Sequence, residues 1–188
     1  MEVLEAIKTR RSIRKYKPTP VDNKTLELVL EAARLAPSWG NTQCWRFVVV
    51  SDDDTRNRLA DTLNPTNPVM DALRRQAPLV IVACAKLGES GFSNGEKATD
   101  KNEWFMFDVA LAMEHLVLAA HSLGLATVYV GRFDAKKVAE ILAVPQGYRA
   151  VAMTPLGYPD QVRDPRPRKE LSEIIFYNRF GVGIENSS

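Results

Sequence analysis

The sequence predicts a fold of mixed helices and strands, built as one domain or as one subunit of an intertwined oligomer. Three observations lead there. The chain has 188 residues, the size of one domain. Its run 77–85 is apolar without interruption, as expected of a central strand covered on both faces. Its segment 103–123 has helical spacing and is apolar around most of its girth, so it needs burial on several sides. In so short a chain, that implies a subunit interface as well as a core.

Each element has a local cause. Val3, Leu4 and Ile7 give segment 2–9 one apolar helical side, and Pro18 and Pro20 end regular structure after it. Asp22 or Asn23 is placed to cap a second helix, whose Leu26, Val29, Leu30, Ala33 and Leu35 recur at helical spacing until Pro37. A polar turn, 36–45, holds Trp39, Gly40, Asn41, Thr42 and Gln43 and leads into a strand at 46–50. Asp52 or Asp53 caps a surface helix to Leu63, and a further helical stretch ends near Gln76. Segment 86–102 is polar and rich in Gly, Ser, Asn and Lys, and reads as a mobile lid or binding loop. Gly124 ends the long helix. A strand at 126–130, a short helix capped by Asp134 and a strand at 148–156 complete the core. The prolines of 163–169 make that basic run extended and stiff. Ile174, Ile175, Phe176 and Tyr177 are too apolar for a free tail and predict docking of that tail, as on a partner subunit.

Composition excludes several classes. A net charge of +2 argues against general nucleic-acid binding. Cys44 and Cys84 lie far apart in apolar settings and form no CxxC, which points to a reducing cytosol. There is no signal-peptide core and no stretch of about 18 apolar residues. His115 and His121 are six residues apart with no third ligand, so no metal site is expected. No GxGxxG, GxxxxGK[ST] or GxSxG occurs.

The chemistry concentrates in Arg10-Arg11-Ser12-Ile13-Arg14, three guanidiniums and a hydroxyl within five residues. The planar fork of Arg donates two parallel bonds to phosphate oxygens, each worth roughly 1.5–3 kcal/mol. Three or four such bonds offset much of the roughly 4–15 kcal/mol that immobilising a ligand costs. A basic helix end complementing the helix dipole is the alternative use of these residues. The turn at 36–45, with amide side chains beside tryptophan, either simply joins helix to strand or recognises a flat heteroaromatic ring.

Taken together, these pieces resemble the nitroreductase family of FMN-dependent oxidoreductases. The likeness rests on the Arg10–Arg14 cluster, then Ala36-Pro37-Ser38 with Asn41-Thr42-Gln43 and Trp45 before a strand. Further along come Leu123-Gly124-Leu125-Ala126-Thr127, Gly131-Arg132-Phe133-Asp134, Pro155-Leu156-Gly157-Tyr158-Pro159 and Arg166-Pro167-Arg168-Lys169. It spans nearly the whole chain in order. It implies an α+β fold, a mixed and mostly antiparallel sheet flanked by helices, in an intertwined homodimer with two FMN sites at the interface. The whole of 1–188 would form one FMN-binding domain, with an arm and tail from about 160 packing on the partner.

By the same resemblance, Arg10, Arg11, Ser12, Arg166 and Arg168 grip the FMN phosphate. Pro37, Ser38, Trp39 and Asn41 reach the flavin of the other subunit, and the backbone at Gly131 and Arg132 approaches N5. Two departures stand out: Cys44 replaces the Pro that often follows Gln, and region 64–71 matches family ribityl-contact motifs poorly. Asn67 is carried as the candidate contact there. The implied chemistry is ping-pong: NAD(P)H gives hydride to N5, and a nitroaromatic, quinone or similar acceptor then takes it. No side-chain acid or base is needed. Arg14 is the candidate cation near N1 and the C2 carbonyl. A flavin carrier or sensor without turnover is the alternative function.

Overall fold

The computed structural model describes residues 1–183. Four strands form the main sheet, in the order β1 (Trp45–Val50), β2 (Leu79–Lys86), β6 (Tyr148–Gly157), β5 (Ala126–Thr127), with antiparallel ladders throughout. A parallel bridge, Ser12 to Thr127, adds the N-terminal segment beside β5. The sheet is therefore mixed and mostly antiparallel, as the α+β reading required.

Strand β2 is buried from Leu79 to Ala85, and its period-two alternation divides the interior. Val80, Val82 and Cys84 face one core, with Leu59 of α3 (Asp53–Ala60), Leu73, and Val138 of α5 (Ala135–Ile141). Leu79, Ile81, Ala83 and Ala85 face the other, with Val29 and Ala33 of α2 (Asn23–Arg34) and Val109, Met113 and Leu116 of α4 (Phe105–Ser122). An uninterrupted apolar strand has no solvent face, so helices must cover both sides.

The caps follow the sequence closely. Asp22 and Asp52 each accept an N–H three residues on, from Thr25 at 2.9 Å and Thr55 at 2.8 Å. Asp134 accepts from Lys136 and Lys137. Gly124, at φ 80°, closes α4: its N–H donates to His121 O, and Leu125 N–H donates to Ala120 O. Helix α4 is long and apolar enough to cross a membrane by length and composition alone. Here it lies against the sheet as a core helix, with Met106 and Phe107 left exposed.

Some elements differ from expectation. Strand 126–130 shrinks to Ala126–Thr127, because Val128 donates its N–H to the Thr154 hydroxyl instead of a ladder carbonyl. Pairing resumes only at Val130, bridged to Met153. The stretch before Gln76 is a single wide turn, Ala72–Gln76, closed by Ala77 N–H to Ala72 O. The polar segment 86–102 contains a hairpin, β3 (Phe92–Ser93) with β4 (Glu96–Lys97). Asn94 and Gly95, both at positive φ, turn it as Asn-Gly pairs do. Helix α1 (Val3–Thr9) leaves Val3, Leu4 and Ile7 exposed, and α6 (Leu171–Ile174) leaves Leu171 and Ile174 exposed. The last part of the expected tail, 184–188, lies outside the described residues.

Gly157 shows why the Pro-Leu-Gly-Tyr-Pro run ends as it does. A Cβ at Gly157 would stand 2.6 Å from Pro78 Cδ, a rigid ring at the start of β2. Gly157→Ala should therefore push β6 from β2 and cost about 1–3 kcal/mol, read as a lower urea midpoint with the far-ultraviolet spectrum retained.

Candidate functional site

Three pairings bring distant sequence together. Ile13 N–H donates to Thr127 O, Lys17 N–H to Tyr158 O and Asp160 N–H to Lys15 O. The segment after α1 thus runs between β5 and the chain leaving β6. Arg10 to Arg14 come to lie beside the arm that carries Arg163, Arg166 and Arg168. A fourth contact, Leu63 to Phe133 with Asp134 N–H donating to Thr62 O, sets loop 64–69 against residues 130–134.

Two clefts result, and Arg14 lines both. The first, about 570 Å³, is walled by Arg10, Arg11, Ser12 and Arg14 on one side and Arg163, Arg166 and Arg168 on the other, with Asp164 its one carboxylate. The second, about 360 Å³, is walled by Asn64, Asn67, Val69, Tyr129, Gly131 and Arg132. The proline-rich arm itself is exposed along 163–170.

The charge of the first cleft is uncompensated. None of Arg10, Arg11, Arg14, Arg163, Arg166 and Arg168 forms an ion pair among the described residues. Arg14 Nε is buried with no hydrogen-bond partner. Burial first, then Arg163 and Arg166, hold the Arg14 pKa below the ordinary guanidinium value. Such an assembly is costly unless an anion fills it. Arg11 has a second use: its Nη1 donates to Lys8 O and Arg10 O, both at 2.8 Å, and so caps the α1 end. The helix-end use of the basic cluster thus holds for that one residue.

In the second cleft, Asn67 Oδ1 accepts from Val69 N–H, which fixes the side chain and leaves its amide hydrogens free to donate. A Cβ at Gly131 would meet nothing within 4 Å, so nothing in the chain itself fills the space beside its backbone. The residues present fit a ligand with an anionic end among the arginines and a polar, flat end at Gly131.

Pro37, Ser38, Trp39 and Asn41 line neither cleft. They form a short turn on the α4 side of the sheet. Gly40, Asn41 and Gln43 all have positive φ, a conformation that costs non-glycine residues energy unless neighbours hold it. Gln43 N–H donates to Ser38 Oγ, and Trp39 N–H donates to the buried Asp108 at 3.0 Å. Asp108, His115 and Ser122 recur every seven residues along α4, and helical periodicity alone groups them as one polar stripe. The structure separates that stripe: His115 meets Ala32 O, Ser122 its own helix, and Asp108 the turn.

Comparisons with known proteins identify a family for this fold. The family model described as "Nitroreductase family" matches residues 7–158. The chain belongs to the nitroreductase family. A 5,6-dimethylbenzimidazole synthase of Rhodospirillum rubrum is 30% identical, over 90% of this chain and 86% of its own. An NADPH-flavin oxidoreductase of Vibrio harveyi is 28% identical, over 94% and 74%. The solved structure of an FMN-dependent nitroreductase from Clostridium difficile R20291 matches with a TM-score of 0.78 and 28% identity, covering 94% of this chain and 99% of that one.

Cys44 is fully buried with Sγ 3.7 Å from Asp108 Oδ2. Burial, and then the Asp108 carboxylate, push its thiol up to about 12. The folded thiol holds its proton more tightly than the unfolded one, whose pKa is about 8.5. The stability it adds is full below that value and is lost as pH rises through it toward 12. Burial also raises the Cys84 thiol, which acts in the same direction. Stability should fall by about 1–2 kcal/mol from pH 8 to 10, and Cys44→Ala should flatten that slope in urea unfolding.

Proposed function

We propose that the chain works as an FMN-dependent homodimer that takes hydride from NADH or NADPH and reduces a flat electrophilic acceptor, a nitroaromatic or a quinone. The chain is a nitroreductase-like oxidoreductase, and the cytoplasm is its proposed location. The observation that carries the reading is the unpaired arginine cleft, which shares Arg14 with the cleft beside the bare backbone of Gly131.

The assignments follow the charge. Arg10, Arg11, Ser12, Arg166 and Arg168 hold the single phosphate of FMN; forks from two chain segments neutralise it from opposite sides. Asn67 donates to the ribityl chain or ring edge. Gly131 and Arg132 offer backbone N–H groups near N5. Arg14, half-buried between the clefts, faces the N1 and C2-carbonyl edge. When bound, the flavin would supply the redox chemistry that carries hydride from donor to acceptor. The protein's own contribution is to bind, orient and bias charge. A fixed cation at Arg14 favours a negative charge on the ring at no cost in reorganisation.

The homodimer rests on two features. The turn holding Pro37, Ser38, Trp39 and Asn41 lies outside its own clefts, so its flavin contact requires a second copy. The exposed apolar side chains of α1, the start of α4 and the tail, among them Leu4, Phe107 and Phe180, also need a cover.

The test is an anaerobic absorbance spectrum. Yellow protein that bleaches with NADH or NADPH and recolours with a nitroaromatic or quinone fits the proposal. Yellow protein that never bleaches favours a flavin carrier or sensor. Arg14→Ala should make the flavin potential more negative and slow its reduction roughly 10–100-fold; unchanged potential and rate would remove Arg14 from this role.

A further inference from the structure

Asp108 has no solvent exposure and, among the described residues, no cationic partner. A buried carboxylate of this kind must be satisfied by hydrogen-bond donors. Its donors come from two segments far apart in sequence. Oδ1 accepts from Trp39 N–H at 3.0 Å. Oδ2 accepts from Ser90 Oγ at 2.6 Å, with the Thr42 hydroxyl at 3.4 Å and the Cys44 thiol at 3.7 Å.

Each segment depends on that anchor. The turn at 39–43 keeps three residues at positive φ. Ser90 is 1% exposed and begins the loop that carries the β3–β4 hairpin. Its carbonyl accepts from Trp104 N–H at 3.0 Å, just before α4. Next to it, a Cβ on Gly91 would lie 2.6 Å from Asn102 O and 2.8 Å from Trp104 Cδ1, so the hairpin base has no slack. Trp104 Nε1 donates to Thr99 Oγ1 at 3.0 Å and closes the far side. The hairpin thus stands as a unit on Asp108, and so does the turn.

We infer that Asp108 is a positioning residue that clamps the turn Trp39–Asn41 and the base of the 90–104 hairpin loop into one arrangement, linking that hairpin to the grip on flavin. The inference rests on the proposed flavin site, since it is there that the turn would act. The turn would serve the second copy's cleft while the hairpin stays on its own protomer, so the clamp carries the link between protomers. Linkage is reciprocal: whatever loosens the hairpin base weakens FMN binding, and FMN binding tightens the hairpin base by the same factor.

Ser90→Ala removes the shortest bond to Asp108 from the hairpin side and touches no residue assigned to the flavin. In the full-length variant, amide exchange over 38–43 should rise about tenfold while β2 amides exchange as before, and the FMN Kd should rise roughly three- to tenfold. Asp108→Asn, which keeps the shape and removes the charge, should move both readings the same way. General destabilisation would instead speed exchange across β2 as well, and that would overturn the clamp. So would unchanged exchange at 38–43 with loosening confined to the hairpin. Wild-type protein that binds no FMN would sink the flavin reading alone, because the exchange comparison still decides whether Asp108 clamps the two segments.

Discussion

Strand β2 has to be hidden on both faces, and most of the architecture follows from that constraint. Its alternate residues demand α2 and α4 on one side and α3 and α5 on the other. A chain that commits its helices to the sheet faces leaves the sheet's β5 end to irregular segments. There the N-terminal stretch and the chain leaving β6 run side by side, and both clefts open at that end. The fold thus creates the site by leaving one end of the sheet for loops to finish.

Electrostatics then sets what that end is for. Six arginines face one cleft with a single carboxylate among them, and none is paired within the described chain. Folding alone gains little from gathering like charges, and partial burial of Arg14 makes the arrangement worse. An arrangement that costs stability in the free protein is the signature of a site whose partner brings the missing charge. Beneath the turn at 39–43, a carboxylate is buried instead: Asp108 is answered by an N–H, two hydroxyls and a thiol.

Much of this was legible in the residues. Caps at Asp22, Asp52 and Asp134, the two-faced strand and the over-apolar helix were read from short-range pattern, because each has a local cause. The arginine cluster and the arm were recognisable as basic runs, and the resemblance joined them. What local pattern does not hold is proximity. The role of Asp108 depends on Trp39 and Ser90, which lie 69 and 18 residues away. Helical periodicity alone grouped it with His115 and Ser122. A carboxylate in the first turn of an otherwise apolar helix was the available signal. Asn67 sat in a stretch that matched family motifs poorly, and only the Leu63–Phe133 bridge reveals that it shares a cleft with Gly131. The shortened β5 and the hairpin within 86–102 likewise depend on partners outside their own sequence windows, although Asn94-Gly95 was itself a turn signal.

The central claim is that the flavin site is completed across two copies of the chain: arginines from one, the Pro37–Asn41 turn from the other. FMN titration of hybrid dimers tests it directly. One chain carries Arg10→Ala and Arg14→Ala, the other Ser38→Ala and Asn41→Ala, and each parent homodimer should bind FMN weakly. If the site straddles the interface, each hybrid regains one intact site and binds one FMN per dimer near wild-type affinity. If arginines and turn act within one chain, no hybrid site is whole, and affinity stays as weak as in the parent variants.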